Sequence, residues 1–446
     1  MMGARFRFRR KLSSFQIIIS GFLGVILLGT LLLALPVASR AHRWTSLETT
    51  LFTATSATCV TGLVMEDTAT YWSAFGQAVI LVLIQIGGLG IISVTAFLAL
   101  ASGRKISLLQ RSLLQESIAA HQVGGIVRMT AFIFRTAFAI EILGAVLMLP
   151  SFCSRYSVSG VWMALFHSVS AFCNAGFDVM GGHTGHYSSL TGFADSPGVV
   201  LPICLLIVTG GIGFLTWDDI ATNRHHLKRY RMQSKAILTM TAVLIFVPAA
   251  MLYLGDFSGY EGGKRILLSL FQAITPRTAG FNTADLALLS HGGHALMIIL
   301  MLIGGSPGST AGGMKTTTLA VLLANALSVF RRKKHPEMFG RRIEEQTTRS
   351  ASALLMLYLS FSLGGAFFIS LVDGLPFGLC FFETSSALGT VGLSLGVTEA
   401  AGVASHLVLI ALMFLGRVGG LTLLFAAVGT NGMELALRPV EKINVG

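Results

Sequence analysis

Charge is scarce in this chain. Asp, Glu, Lys and Arg together make up 12% of its 446 residues, against about 25% in a soluble domain. Hydrophobic residues reach 53% and mean hydropathy is +0.74, which excludes a soluble globular fold, a disordered chain and a collagen-like one. Cysteine is also sparse. Cys59, Cys153, Cys173, Cys204 and Cys380 form no C-x-x-C pair, so neither a disulfide scaffold nor a zinc site is expected. There is no H-E-x-x-H and no pair of intramembrane aspartates, so the clustered groups of a membrane enzyme are missing. The stretch Gly308-Ser-Thr-Ala-Gly-Gly313-Met314-Lys315 misses a phosphate-binding loop, because Met314 separates glycine from lysine. Glycine, by contrast, is plentiful at 50 residues. In an apolar chain that signals close backbone approach or broken helices.

The net charge is +12. Its distribution assigns it to cytoplasmic loops rather than to nucleic acid, because the apolar runs divide the chain. Runs near 15–38, 74–101, 126–150, 198–217, 236–254, 293–330, 351–372 and 404–427 are long enough to cross about 30 Å of hydrocarbon. Shorter stretches at 45–57, 161–173, 264–275 and 376–388 are too short to cross and read as re-entrant half-helices. This division puts 22 basic residues inside and five outside, with both termini in the cytoplasm of a cell (inner) membrane protein. The cytoplasmic segments carry a net +14, suited to an acidic or nucleotide-bearing partner or to lipid headgroups. The outer loops carry a net −6, which would concentrate cations or simply reflect tolerated acids.

Each short stretch runs into a similar loop. The segments start at Phe52, Phe166, Phe271 and Phe382 and reach Gly62, Gly176, Gly280 and Gly392 after 10, 10, 9 and 10 residues. The glycines lie 114, 104 and 112 residues apart, close to a quarter of the chain. Downstream come Gly87-Gly88-Leu89-Gly90, Gly210-Gly211-Ile212-Gly213, Gly304-Gly305 and Gly416-Arg417-Val418-Gly419-Gly420. The expected fold is therefore an all-α integral membrane protein of four tandem helix–pore-helix–helix units around one pseudo-fourfold pore. Eight spanning helices and four re-entrant half-helices make it up. The units are 15–101, 126–217, 236–330 and 351–427, flanked by a basic N-terminus (1–14) and a C-terminal tail (428–446). Non-helical backbone at membrane depth must be buried or line a wet cavity. Four such loops around one axis offer a ring of carbonyl oxygens able to replace a cation's hydration shell.

The sequences TPRTAGFN, AFCNAGFD, ALGTVGLSLG and GGSPGSTAGGMKTTT resemble the Trk/Ktr/HKT superfamily of potassium transporters, most of all its KtrB branch of bacterial membrane subunits. The N-terminus runs directly into the first unit, without the extra helix pair of the TrkH branch. The resemblance implies a homodimer with one pore per subunit and control by a cytoplasmic nucleotide-binding ring of the KtrA type. It also implies potassium selectivity through glycine in all four loops. The expected filter comprises Thr58, Thr61 and Gly62; Asn174, Ala175 and Gly176; Thr278, Ala279 and Gly280; and Thr390, Val391 and Gly392. K+ is the expected cargo, held by backbone carbonyls, with no organic cofactor.

Residues 304–313 contain five glycines and Pro307, which disfavours helix by roughly 8 kcal/mol. The resemblance makes this the gating loop, with Gly304, Gly305, Gly308, Gly312 and Gly313 as its hinges. Arg417 is expected to face it, hydrogen-bond its carbonyls and oppose K+ electrostatically. Lys315 either does the same or snorkels. Glu141 is expected to pair with Arg135 or Arg128, and Arg277 to brace the third loop, with Glu383 as its partner. His183, His186, His225, His226, His291 and His294 read as solvated loop residues. Channel-like K+ uptake and a Na+- or H+-coupled K+ symporter both fit, since such carriers also use discontinuous helices.

Overall fold

The computed structural model describes residues 14–102, 106–118 and 125–419. The basic N-terminus, the end of the 404–427 run and the C-terminal tail lie outside the described residues. Among the described residues the regular structure is mostly helical. Four helices among the described residues are long and apolar enough to cross a membrane without a break: α1 (Ser14–Ala34), α6 (Ile126–Tyr156), α10 (Met232–Leu254) and α14 (Glu345–Asp373). They turn Leu27, Leu31, Ile142, Leu143, Phe246, Val247, Phe367 and Leu371 outward, as helices facing hydrocarbon do.

After each comes a short helix buried over its later turns: α2 (Leu47–Cys59), α7 (Ser159–Phe172), α11 (Gly262–Ile274) and α15 (Phe377–Gly389). The polar content of these helices points inward. Thr49, Thr50, Thr53, Thr55, Ser56 and Thr58 of α2 are all buried. The chain is thus apolar outside and hydroxyl-rich at its centre.

The second helices of the first two units depart from the straight spans read over 74–101 and 198–217. α3 (Ala74–Leu89) and α4 (Ile91–Ala101) meet at 95°, and α8 (Pro197–Gly211) and α9 (Phe214–Asn223) at 96°. The cause is local. Gly90 (φ 86°, ψ 130°) and Gly213 (φ 90°, ψ 143°) hold a backbone conformation closed to residues with a Cβ. Gly419, after α16 (Val403–Val418), has the same geometry at φ 93° and ψ 126°. In the third unit the break is the loop between α12 (His291–Leu302) and α13 (Thr316–Phe330). Between α4 and α6 lies α5 (Leu108–Ile118). A two-stranded hairpin, β1 (Glu337–Met338) with β2 (Arg341–Arg342), is the one departure from all-helix among the described residues. It turns on Phe339 and Gly340, both at positive φ, as a two-residue primed turn needs.

Helices in lipid gain little from hydrophobic association and rely on close packing through small residues. The downstream glycines do this work. A Cβ on Gly87, Gly210 or Gly416 would collide with the carbonyl oxygen of Thr58, Phe172 or Leu388 respectively. Each of these carbonyls lies four residues before a loop glycine and belongs to the half-helix of the same unit. Gly87→Ala should therefore lower the thermal midpoint of the purified protein, an overpacking cost of about 1–3 kcal/mol. Gly24→Ala, where a Cβ meets nothing within 4 Å, should leave it unchanged or gain up to about 1 kcal/mol in helix propensity. Equal midpoints for the two variants would remove the close-approach account.

Candidate functional site: a ring of four glycine loops

The loops that follow the half-helices share one backbone pattern. Val60, Asn174, Thr278 and Thr390 have φ of 59°, 59°, 75° and 52°. Two residues later, Gly62, Gly176, Gly280 and Gly392 have φ of 94°, 68°, 79° and 94°. The residues between them, Thr61, Ala175, Ala279 and Val391, are not in the positive region. Backbone amides tie the loops to their half-helices: Thr61 N–H donates to Ser56 O at 2.8 Å, Ala175 to Ser170 O at 2.8 Å, Ala279 to Thr275 O at 2.9 Å and Val391 to Ser386 O at 2.8 Å.

The four glycines close a ring. A Cβ on Gly62 would stand 2.5 Å from the Ala175 carbonyl oxygen, and one on Gly176 would stand 2.8 Å from that of Ala279. One on Gly280 would strike the Val391 oxygen, and one on Gly392 the Thr61 oxygen. The order is therefore first, second, third, fourth and back to first, with no room for a side chain at any joint.

Eleven of the twelve sequence-predicted filter residues fall in these loops. Thr58 does not: it lies in the last turn of α2, and Val60 holds the place that Asn174, Thr278 and Thr390 take in the other loops. The first half-helix runs on far enough for its left-handed cap to fall at Val60. Sequence reading missed that register, although counting back two residues from each glycine finds it.

Above the ring is a cavity of about 230 Å³ whose lining includes all four glycines, Asp67, Asp178 and Glu399. Burial pushes the Asp178 carboxyl up to about 7, against the Met180 amide bonded to it and with the charge of Asp67. Burial also raises Glu66 and Glu399 above the usual carboxylate range. On the other side lies a cavity of about 640 Å³ lined by Gly88, Gly308, Ala311, Gly313, Lys315 and Arg417 among others.

The 304–313 loop separates that cavity from the ring, held by backbone bonds rather than by helix. Gly304 N–H donates to Met314 O at 2.7 Å, Ser306 N–H to Gly211 O at 2.9 Å, and Phe214 N–H to Gly308 O at 2.7 Å. Two contacts reach the ring itself. The Asn174 Nδ2 donates to Thr310 Oγ1 at 3.1 Å, and Gly312 packs on the Thr390 side chain. Thr310 is a site residue that composition alone does not single out.

Arg417 reaches this loop. Its guanidinium donates to the carbonyl oxygens of Thr310 and Gly87, and to that of Gly88 at 3.1 Å. Lys315 Nζ donates to Ala311 O at 2.9 Å and Gly312 O at 3.2 Å, so it serves the loop rather than snorkelling. Other expected pairs do not form. Glu141 accepts from Gln85 Nε2 at 2.9 Å and 3.2 Å, not from Arg135 or Arg128. Glu383 accepts from Ser394 at 2.9 Å and from Thr398, not from Arg277. Glu141 is met by a neutral donor from a helix of the first unit, and Glu383 by two hydroxyls from the segment that follows its own loop. Nor are all the histidines solvated: His294 is part-buried and its Nε2 lies 2.8 Å from Leu286 O.

A family model described as TrkH, cation transport protein, matches residues 4–432. The chain is 37% identical to the potassium/sodium uptake protein NtpJ of Enterococcus hirae over 99% of both chains. It is 36% identical to the Ktr system potassium uptake protein B of Bacillus subtilis over 93% of both. The crystal structure of the potassium transporter TrkH from Vibrio parahaemolyticus superposes with a TM-score of 0.74, covering 96% of this chain and 87% of that one at 19% identity, a likeness of fold.

If cations pass through the cavity that Asp178 lines, a vestibule to the ring, their uptake should depend on the pH of the solution that faces it. Asp178 carries its charge above about pH 7 and loses it below. Acidifying that side from about pH 8 to 6 should therefore weaken apparent cation affinity severalfold. Asp178→Asn should flatten the dependence, measured as uptake KM against external pH. An unchanged profile in the variant would take Asp178 out of the vestibule field.

Proposed function

Because the chain belongs to the TrkH family of cation transport proteins, within its Ktr-like branch, we propose that it conducts K+ into the cell through the ring of four glycine loops. The observation that carries this reading is the closed order of contacts from Gly62 through Gly176, Gly280 and Gly392 back to Thr61. Such a ring brings backbone oxygens from four loops to one axis, where they can stand in for the water of a monovalent cation. The arrangement is that of four units, each with a span, a half-helix, a loop and a second span. The basic loops lie in the cytoplasm and the acidic vestibule faces outward.

The 304–313 loop is the gate. It lies across the path between the ring and the larger cavity, and Arg417 both braces it and sets a positive charge against the ion. The chain works as a homodimer with a cytoplasmic nucleotide-binding ring of the KtrA type. The name of the Bacillus subtilis relative describes one component of a system, which supports a regulatory partner. Sodium as cargo or co-ion is a second reading, favoured by the name of the Enterococcus hirae relative.

Two substitutions test the proposal in proteoliposomes or in cells lacking other K+ uptake. Gly62→Ser places a Cβ 2.5 Å from the Ala175 oxygen at φ 94°, so it must displace a ring carbonyl. The K+/Na+ uptake ratio should fall about tenfold, the effect of about 1.4 kcal/mol of differential binding. The same change at Gly176, Gly280 or Gly392 should also impair K+ uptake. Equal ratios in wild type and all four variants would remove the ring as the filter. Arg417→Ala should raise K+ flux with the ratio kept, because the gate loses a brace and a charge while the ring is untouched. Unchanged flux in a well-inserted variant would reduce Arg417 to a structural brace.

A further inference from the structure

We infer that two of four buried half-helix hydroxyls, Ser56 and Ser386, aim carbonyls of the ring, whereas the other two, Ser170 and Thr275, anchor their loops without doing so, which sorts the four loops into two unlike pairs. The inference rests on the filter reading above and goes beyond it. Each half-helix carries a hydroxyl four residues after its phenylalanine: Ser56 after Phe52, Ser170 after Phe166, Thr275 after Phe271 and Ser386 after Phe382. All four are fully buried. Four residues place the hydroxyl about one helical turn beyond the ring of the phenylalanine, on the same face.

In the first and fourth loops the hydroxyl is an acceptor. Gly62 N–H donates to Ser56 Oγ at 3.0 Å, and Gly392 N–H to Ser386 Oγ at 3.0 Å. A trans peptide is planar, and its N–H and C=O point in opposite directions. Drawing the Gly62 N–H back into the half-helix therefore turns the Thr61 carbonyl forward, out of the half-helix and toward the ring. The same geometry turns the Val391 carbonyl forward. These two oxygens are the ones that abut Gly392 and Gly280 in the ring.

In the second and third loops the hydroxyl is a donor. Ser170 Oγ donates to Phe177 O at 2.8 Å, and Thr275 Oγ1 to Phe281 O at 2.6 Å. Here it is the carbonyl after the glycine that is drawn back into the half-helix. The matching carbonyls of Leu63 and Leu393 accept no such bond among the described residues. Two independent features follow the same division. The residue after the glycine is leucine in the first pair and phenylalanine in the second. The glycine φ is 94° in both members of the first pair, but 68° and 79° in the second.

The oxygens just before the glycines can thus form a four-membered layer, whereas those just after them can supply only two members. The free oxygens after the glycines are thus those of Leu63 and Leu393, while all four oxygens before the glycines stand in the ring. Ser56 and Ser386 are positioning residues for the selective layer. Ser170 and Thr275 hold the second and third loops in place without aiming an oxygen at the ion.

Ion competition separates these roles. Ser56→Ala and Ser386→Ala free a glycine amide and let one peptide rotate. The K+/Na+ uptake ratio should fall about threefold to tenfold, the range expected from one buried hydrogen bond. Ser56→Thr and Ser386→Thr keep the oxygen and should restore the ratio. Ser170→Ala and Thr275→Val should lower K+ and Na+ uptake together, with the ratio held within about twofold. If Ser56→Ala fails to insert, the Ser386 pair and the two threonine variants carry the test. Gly62→Ser is run alongside. A ratio altered by Gly62→Ser but untouched by Ser56→Ala and Ser386→Ala overturns the brace and leaves the filter standing. An equal loss of ratio at all four hydroxyl positions overturns the division into pairs. A ratio untouched by every variant, Gly62→Ser included, overturns the filter reading and the brace with it.

Discussion

Peptide groups inside a membrane have no water to bond, so each must find a partner within the chain or face a wet cavity. Much of this molecule answers that constraint where helix is given up. In the four glycine loops the amides are taken by the half-helix behind them, as Thr61 N–H is by Ser56 O. The carbonyls just before the glycines are left over, and left-over carbonyls around an axis are what a dehydrated cation needs. The 304–313 loop meets the same demand by borrowing partners. It bonds to Met314 and to Gly211, and Gly308 accepts from Phe214. Because Gly211 and Phe214 belong to helices of the second unit, the loop can leave its position only if several bonds break or exchange together.

Glycine makes both arrangements possible, for two separate reasons. At Gly62 and Gly392 the backbone takes a positive φ and the neighbouring loop leaves no volume for a Cβ. At Gly87, Gly210 and Gly416 the helix is regular, and only the volume matters, because a half-helix carbonyl lies against it. Each such glycine weakens its helix by about 1 kcal/mol relative to alanine. The close packing it permits is the main attraction open to helices already surrounded by lipid.

The buried charge at Arg417 follows the same logic. Its partners are backbone dipoles: a carbonyl of the 304–313 loop and two from the end of α3. No carboxylate within ion-pair distance cancels it among the described residues. A guanidinium with its fork of donors can bind several carbonyls at once while keeping a net charge that an approaching cation feels. It therefore ties the first, third and fourth units together at the level of the 304–313 loop.

The four loops, their spacing, the half-helices before them and the unstable stretch at 304–313 were legible in the chain, because glycine, proline and apolar run length act locally. Arg417 stood out for the same reason, as a charge in an apolar run. The bends at Gly90 and Gly213 were not legible, since a glycine that kinks a helix and one that packs it read alike. Thr58 was assigned to the loop because one more turn of α2 changes nothing in composition. The partners of Glu141 and Glu383 were also out of reach. Gln85 lies 56 residues from Glu141, and which donor arrives first depends on how whole helices pack. The cyclic order of the glycines, and the split between hydroxyls that accept and hydroxyls that donate, were decided by tertiary structure alone. The cyclic order depends on contacts between loops about a hundred residues apart, and the split on how single peptide planes turn against a hydroxyl six or seven residues away.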